Sequence, residues 1–318
     1  MMRRAFRLAM AMQRFELRFL LGGTLLLVIA ALALAWQIRV ARGEEMECYR
    51  TAPPPVEGSQ TEICPAFGPR LELLETGAAF AHIGTTVTPF LLGLFLGIPI
   101  VAREVEQRTA SLAWSLSRSR RRWLLQRAAP ILIVVAVASL AAGVAGEVLT
   151  HAMPSSEGAE IGFTDYGMRG PLLAVRGVAV FGLALAVGTL VPRQLAALLL
   201  AGALTLGLFV GVQLFMQDLM RREAVPMTSE EQQQGATQMI FDSALRVDAT
   251  GELISYDDYY RDHPEAMQAG FPPGVTPMEY AVPGSRYGDF VLRESAILGA
   301  VALLAFGTTA LVVSRRRP

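Results

Sequence analysis

Between Arg18 and Arg39 the chain reads FLLGGTLLLVIAALALAWQI, residues 19–38, a run without a single charge. A helix rises about 1.5 Å per residue, so this run is long enough to cross roughly 30 Å of hydrocarbon. It exceeds the apolar core of a secretory leader, which spans about 7–15 residues, and a further 18 residues precede it. It is therefore read as a membrane span and not as a cleaved leader. Reading onward finds comparable apolar runs at about 77–102, 128–148, 170–191, 194–217 and 294–314. Six spans are expected, with Pro89 and Pro99 kinking the second.

Composition supports the same class. Of 318 residues, 53% are hydrophobic and 18% charged, against about 45–50% and about 25% in soluble domains. Mean hydropathy is +0.40. All 28 basic residues are arginine. Without lysine the chain can form no Schiff base and has no P-loop lysine to grip nucleotide phosphates. The formal charge of zero sets up no field that would attract nucleic acid. There is no His-Glu-x-x-His and no Gly-x-Ser-x-Gly, and His82, His151 and His263 lie in separate segments. Met216, Met220, Met227 and Met239 lack histidine partners for copper. No catalytic residue, metal or cofactor is expected on this chain.

Orientation follows from the arginines. With the N-terminus inside, residues 1–18, 103–127, 192–194 and 315–318 share one side and carry 16 of the 28 arginines, against only the acids Glu16, Glu104 and Glu106. An excess of arginine marks the cytoplasmic face, so both termini are expected there. Segments 39–75, 147–169 and 218–293 then lie outside. The last is too long for a turn and is expected to carry packed structure. Cys48 and Cys64 share the first of these segments, where an oxidising environment favours a disulfide contributing about 3 kcal/mol; two free thiols is the alternative. His82, Glu147 and Arg176 are ionisable residues within or near spans, placed close to the outer ends where water or snorkelling lowers their cost. Gly84, Gly93 and Gly97, and Gly202, Gly207 and Gly211, are expected to let helices approach closely.

Two cytoplasmic stretches carry further pattern. At helical spacing Arg3, Arg7, Arg14 and Arg18 share one face, while Leu8, Met12, Phe15 and Phe19 share another. Residues 1–18 are therefore expected to lie as an amphipathic helix in the membrane interface, arginines on lipid phosphates. Residues 103–122 read REVEQRTASLAWSLSRSRRR, an apolar centre framed by charge. That mixture suits docking onto a cytoplasmic protein. The alternative is an interfacial helix held at headgroup depth by Trp114 and Trp123.

The sequence Gly97-Ile98-Pro99, then Arg103-Glu104-x-Glu106-x-x-Thr109, Trp114, Arg118 and Arg122-Trp123-Leu124, resembles the ABC-2 type transporter permease family, most closely its actinobacterial branch. Arg14-Phe15-Glu16-Leu17-Arg18 resembles the end of that family's elbow helix. Tyr280-x-x-Pro283-x-Ser285-Arg286-Tyr287-x-x-Phe290-x-x-x-Glu294 resembles its motif before the sixth span. Arg108 stands where the branch has glycine, Leu116 where proline is common, and Gly288 where tryptophan is preferred.

The resemblance implies an all-α polytopic protein: an elbow over 1–18, and a six-helix transmembrane domain over 19–318. It implies the permease subunit of an ATP-binding cassette exporter in a bacterial plasma membrane. ATP and Mg would be bound by a separate ATPase present in two copies, and a second permease chain, identical or not, would complete the assembly. By the same resemblance Glu104, Glu106, Thr109, Trp114, Arg118 and Arg122 belong to the element that couples to the ATPase. Glu104 is expected to pair with arginines of the elbow, and Thr109 to cap the coupling helix. The competing reading is a gradient-driven transporter or membrane sensor that uses His82, Glu147 and Arg176.

Overall fold

A computed structural model describes residues 14–51, 64, 68–107, 119–153, 162–228, 239–247, 250–263 and 274–315. The helices are α1 (Arg14–Thr51), α2 (Gly68–Gly97), α3 (Pro99–Glu106), α4 (Arg120–Thr150), α5 (Leu172–Leu190), α6 (Gln194–Arg222), α7 (Tyr256–Asp262) and α8 (Tyr287–Arg315). Strands β1 (Val225–Thr228), β2 (Met239–Val247), β3 (Glu252–Ser255) and β4 (Val275–Val282) lie between α6 and α8. Among the described residues, six helices are long and apolar enough to cross a membrane, matching the six runs read from the sequence.

The chain divides into two compact units. One comprises Met1–Met153, Gly167–Phe209 and Arg293–Pro318; the other comprises Pro154–Tyr166 and Val210–Leu292.

In the first unit α5 is the central helix. Leu172, Leu173, Ala179, Val180, Phe181 and Ala184 are fully buried on it. One core joins Leu17 of α1, Leu92 and Leu96 of α2, Ile100 of α3, Trp123, Leu124 and Ile131 of α4, and Phe181 and Leu185 of α5. A second is built from small residues: Ala31, Ala35 and Ala41 of α1 meet Ala78 and Ala81 of α2 and Ala145 of α4. Small side chains bring helix backbones together where lipid provides no hydrophobic drive between helices.

Within the outer segment expected at 39–75, the described residues other than Cys64 are helical. α1 runs unbroken to Thr51 and α2 starts at Gly68. Across the two helices Arg42 pairs with Glu75 at 3.1 Å and Arg70 with Glu44 at 2.8 Å. The Cys48–Cys64 disulfide ties the loop that joins them.

Pro89 sits inside α2 without ending it, whereas Pro99 follows the break at Ile98. Ile98 itself keeps helical dihedrals, φ −61° and ψ −48°, and its N–H still donates to the Leu94 carbonyl, so α2 passes into the short α3 without leaving helical backbone. Gly93 and Gly97 allow α2 to lie directly on α5. A Cβ on Gly93 would stand 2.7 Å from Val180 Cγ1 and 2.8 Å from the Phe181 nitrogen. The glycines of α6 behave otherwise. Gly202, Gly207 and Gly211 have nothing within 4 Å of where a Cβ would lie, so within one chain they mediate no close contact.

The second unit corrects the all-α expectation. Its four strands form one antiparallel sheet in the order β1-β4-β2-β3. Leu245 and Tyr259 are buried between the sheet and α7, with Ile254, Tyr256 and Val275 packed around them. The β-branched and aromatic residues of 239–247 and 275–282 suit strands, and their irregular alternation hides them from a search for long apolar runs.

The α2–α5 contact yields a direct test. Gly93→Ala should destabilise the detergent-solubilised protein by about 1–3 kcal/mol, since the added methyl meets backbone. Gly207→Ala should be neutral or stabilising by up to about 1 kcal/mol, because alanine favours helix and the space is open. Thermal unfolding of both variants beside the parent checks the contrast.

Candidate functional site: charged joints at opposite ends of the bundle

Charge inside a bundle has to be matched by charge or it is expelled toward water. The first unit matches it at opposite ends of α4. Arg127 lies near the start of that helix and Glu147 near its end, about 30 Å apart at 1.5 Å per residue.

At the first end the joint is α3. This eight-residue helix carries Arg103, Glu104 and Glu106, each engaged with a different helix. Arg103 meets Glu16 of α1 at 3.7 Å. Glu104, buried, forms an ion pair with Arg127 of α4. Glu106 Oε2 accepts the backbone N–H of Gln194, the first residue of α6, at 3.1 Å. A helix start leaves N–H groups without partners, so this carboxylate caps α6 from another helix. Arg127 also stacks over the Trp123 ring at 4.7 Å.

Several sequence expectations resolve here. Glu104 is joined to Arg127, and the link from this loop to the start of α1 is made by Arg103 and Glu16. Trp123 is buried in the core, with the Arg127 guanidinium over its ring. The backbone N–H of Arg122 is capped by the Ser119 hydroxyl at 3.2 Å, which starts α4. Arg14 opens α1, and Arg18 continues it without a break, so the last residues of the expected interfacial helix are already part of the first long helix. Arg3, Arg7, Thr109, Trp114 and Arg118 lie outside the described residues.

At the other end, Arg176 is not solvated as the sequence reading expected, while Glu147 stays partly exposed. Arg176 is buried, and its Nε and one terminal nitrogen donate to Glu294 Oε1 at 3.0 and 2.6 Å. The other terminal nitrogen donates to the Gly167 carbonyl. The guanidinium also lies 5.6 Å above the Phe209 ring, which itself meets Phe90 edge-on at 4.7 Å. Beside this pair Glu147 is bound by Arg169, and His151 Nε2 lies 3.4 Å from the same carboxylate. His82 of α2 faces the Thr150 hydroxyl at 3.4 Å.

The segment between α4 and α5 is what carries Arg169 and Gly167 into place. The Gly170 N–H donates to the Gly143 carbonyl at 2.9 Å, and a Cβ on Gly143 would overlap the Gly170 carbonyl. Gly167 and Gly170 adopt φ of 81° and 71°, the left-handed region that glycine tolerates.

Sequence reasoning missed Arg127 and Arg169, and took Glu294 only as one letter of a motif. The available signal was positional. Arg127, Glu147, Arg176 and Glu294 all stand at the border of an apolar run, where packing helices can bring opposite charges together.

The same motif organises the second unit. Arg286 pairs with Glu223 at 2.8 Å and lies over Phe290, while Tyr287 and Phe290 meet Phe163 edge-on.

A family model described as ABC-2 membrane transporter related matches residues 21–221. The chain belongs to that family. No curated protein and no solved structure matches it. The matched residues run from α1 to the end of α6 and take in both charged joints except Glu16 and Glu294. The sheet lies beyond them. With six apolar helices and this family, the chain is a multi-pass membrane protein and a transport component. Among the described residues no group of histidine, cysteine and carboxylate side chains is arranged to hold a metal ion.

Removing one partner of a buried ion pair leaves the other charge uncompensated, at about 3–5 kcal/mol. Glu294→Ala and Arg176→Ala should each lower stability by that order. The double replacement Arg176→Met with Glu294→Leu should lose less than either. Unfolding of detergent-solubilised variants provides the comparison.

Proposed function

We propose that the chain is the permease subunit of an ATP-binding cassette exporter, driven by a separate ATPase that docks on residues 103–122. The observation that supports this reading is the joint at α3. One short helix, whose last turn opens the docking segment, is tied by charge to α1, α4 and α6. A push delivered to it would be shared among those helices as rigid bodies. The absence of lysine, and so of a P-loop lysine, supports this reading.

In this reading both termini face the cytoplasm of a bacterial cell. A second permease chain completes the pathway, with two ATPase copies below and ATP and Mg held by the ATPase alone. The wide apolar faces of α1, α6 and α8, exposed in one chain, are available to lipid and to that second chain. Glu104 and Glu106 act as positioning residues, holding the joint to α4 and α6. Arg118 and Arg122 supply positive charge toward the ATPase.

Coexpression with the ATPase encoded by the adjacent reading frame, followed by copurification in nanodiscs, tests the proposal. A stoichiometric complex with vanadate-sensitive ATP hydrolysis is expected. The double variant Arg118→Glu with Arg122→Glu should reduce copurified ATPase at least about tenfold, the effect of roughly 1.4 kcal/mol in affinity, while its own size-exclusion profile stays unchanged. Full copurification by that variant would overturn the docking assignment.

A further inference from the structure

The closest backbone approach made by α2 changes along its length. Its outer half is fastened to α1 by the disulfide and by the Arg42–Glu75 and Arg70–Glu44 pairs. There a Cβ on Gly84 would stand 2.8 Å from Leu27 Cδ1 of α1, and His82 faces Thr150 of α4. In the inner half the close approach is to α5, at Gly93 and Gly97, and Phe90 meets Phe209 of α6. Leu92 and Leu96 enter the core shared with α1 and α4. Pro89 stands where one set of close approaches gives way to the other.

The backbone softens at the same place. Pro89 has no N–H to offer the Thr85 carbonyl, and its ring crowds that carbonyl. In the turns before it three hydroxyls donate backward. Thr85 and Thr86 reach the His82 carbonyl at 2.9 and 2.8 Å, and Thr88 reaches the Gly84 carbonyl at 2.8 Å. Bonds of this kind bend a helix, and proline is a leading cause of sharp kinks. Pro130 inside α4 supplies the contrast, because residues 122–129 before it contain no serine or threonine.

Pro99 differs in another way, since both of its sides lie on α5. Gly97 is held against Ala184 and the Phe181 carbonyl, and a Cβ on Gly188 would stand 2.9 Å from the Ile98 carbonyl. Beyond the proline, Ala102 of α3 packs with Ala184 and Val187. The helix therefore has a shared support across Pro99 and a change of support at Pro89.

We propose that Pro89, with the hydroxyls of Thr85, Thr86 and Thr88, is a pivot within α2. The inner part of the helix swings with α3 and α5, while the outer part stays with the disulfide-tied end of α1. A stiff α2 would instead carry every movement of the α3 joint to that outer end. The pivot's use in transport rests on the docking reading given above; the bend itself needs no ATPase.

The test uses the full-length chain in nanodiscs, spin-labelled through Leu73→Cys and Phe95→Cys. Both side chains are exposed, one on each side of Pro89 and about 33 Å apart along the helix. Cys48 and Cys64 are joined to each other and take no label. Double electron–electron resonance on the chain alone reads the distance distribution. Pro89→Ala restores the N–H and should narrow that distribution and move its centre by about 3 Å, as a kink of about 20° moves a label roughly 10 Å off the axis. Thr88→Val should move it in the same direction, whereas Thr88→Ser and Pro130→Ala should leave it as in the parent. A distribution unchanged by Pro89→Ala, or changed equally by Pro130→Ala, would overturn the pivot. With the ATPase bound, vanadate trapping should shift the parent distance by about 3 Å and leave that of Pro89→Ala unmoved. A complex that hydrolyses ATP while its free and trapped distances coincide would overturn the pivot and leave the transport reading standing. Failure to form a complex would count against the transport reading alone, since the first comparison needs no partner.

Discussion

The buried guanidinium of Arg176 shapes the first unit more than any other single group. An arginine in the second turn of the most enclosed helix has to be answered by a carboxylate, a carbonyl or water. It is answered by Glu294 from the far end of the chain and by Gly167 from the segment just before α5. That requirement draws α8 against α5 and holds the segment between α4 and α5 down against α4. The left-handed backbone of Gly167 and Gly170 follows from the same demand, since that segment must deliver a carbonyl to the guanidinium and an N–H to Gly143. Every charged residue buried among the described residues obeys the same rule: Glu104 with Arg127, Arg169 with Glu147, Arg176 with Glu294.

The two joints differ in what they can do. Around Arg176 the contacts are enclosed, and the geometry is that of a fastening. Around α3 they are mixed: Glu104 and Arg127 are enclosed, whereas Arg103 and Glu16 are partly solvated at 3.7 Å and Glu106 is exposed. An exposed contact is weak by itself. Together the three links constrain the orientation of one short helix against α1, α4 and α6. An element that must move as a unit with several helices is better tied by several adjustable contacts than by one rigid core.

The helices also divide by what surrounds them. α5 is enclosed on nearly all sides, and α2 reaches it through Gly93 and Gly97. By contrast α1, α6 and α8 keep long rows of leucine, isoleucine and valine exposed, and the glycines of α6 lie open among them. In water such faces would aggregate; in hydrocarbon they are the ordinary outer surface of a bundle. The sheet of the second unit has the opposite character, with an exposed polar edge and acidic residues beside tyrosines.

The number of long helices and their order were legible from residue order alone, because a span needs about 20 consecutive apolar residues and nothing remote can supply them. The disulfide was legible for a similar reason, with only Cys48 and Cys64 present and close in the chain. The partners of Arg176, Glu147 and Glu104 were not. An ion pair depends on which helices become neighbours, and residues 118 positions apart, as Arg176 and Glu294 are, meet only through packing. The same holds for the glycines. Those of α2 and α6 have similar spacing, and only the placement of α5 decides that the first set is used within the chain. The sheet stayed hidden because its strands are short and joined by remote pairing, so β2 and β4 declare themselves only when aligned. Local composition determined what must leave water; the tertiary structure decided which charges accompany it and what they meet there.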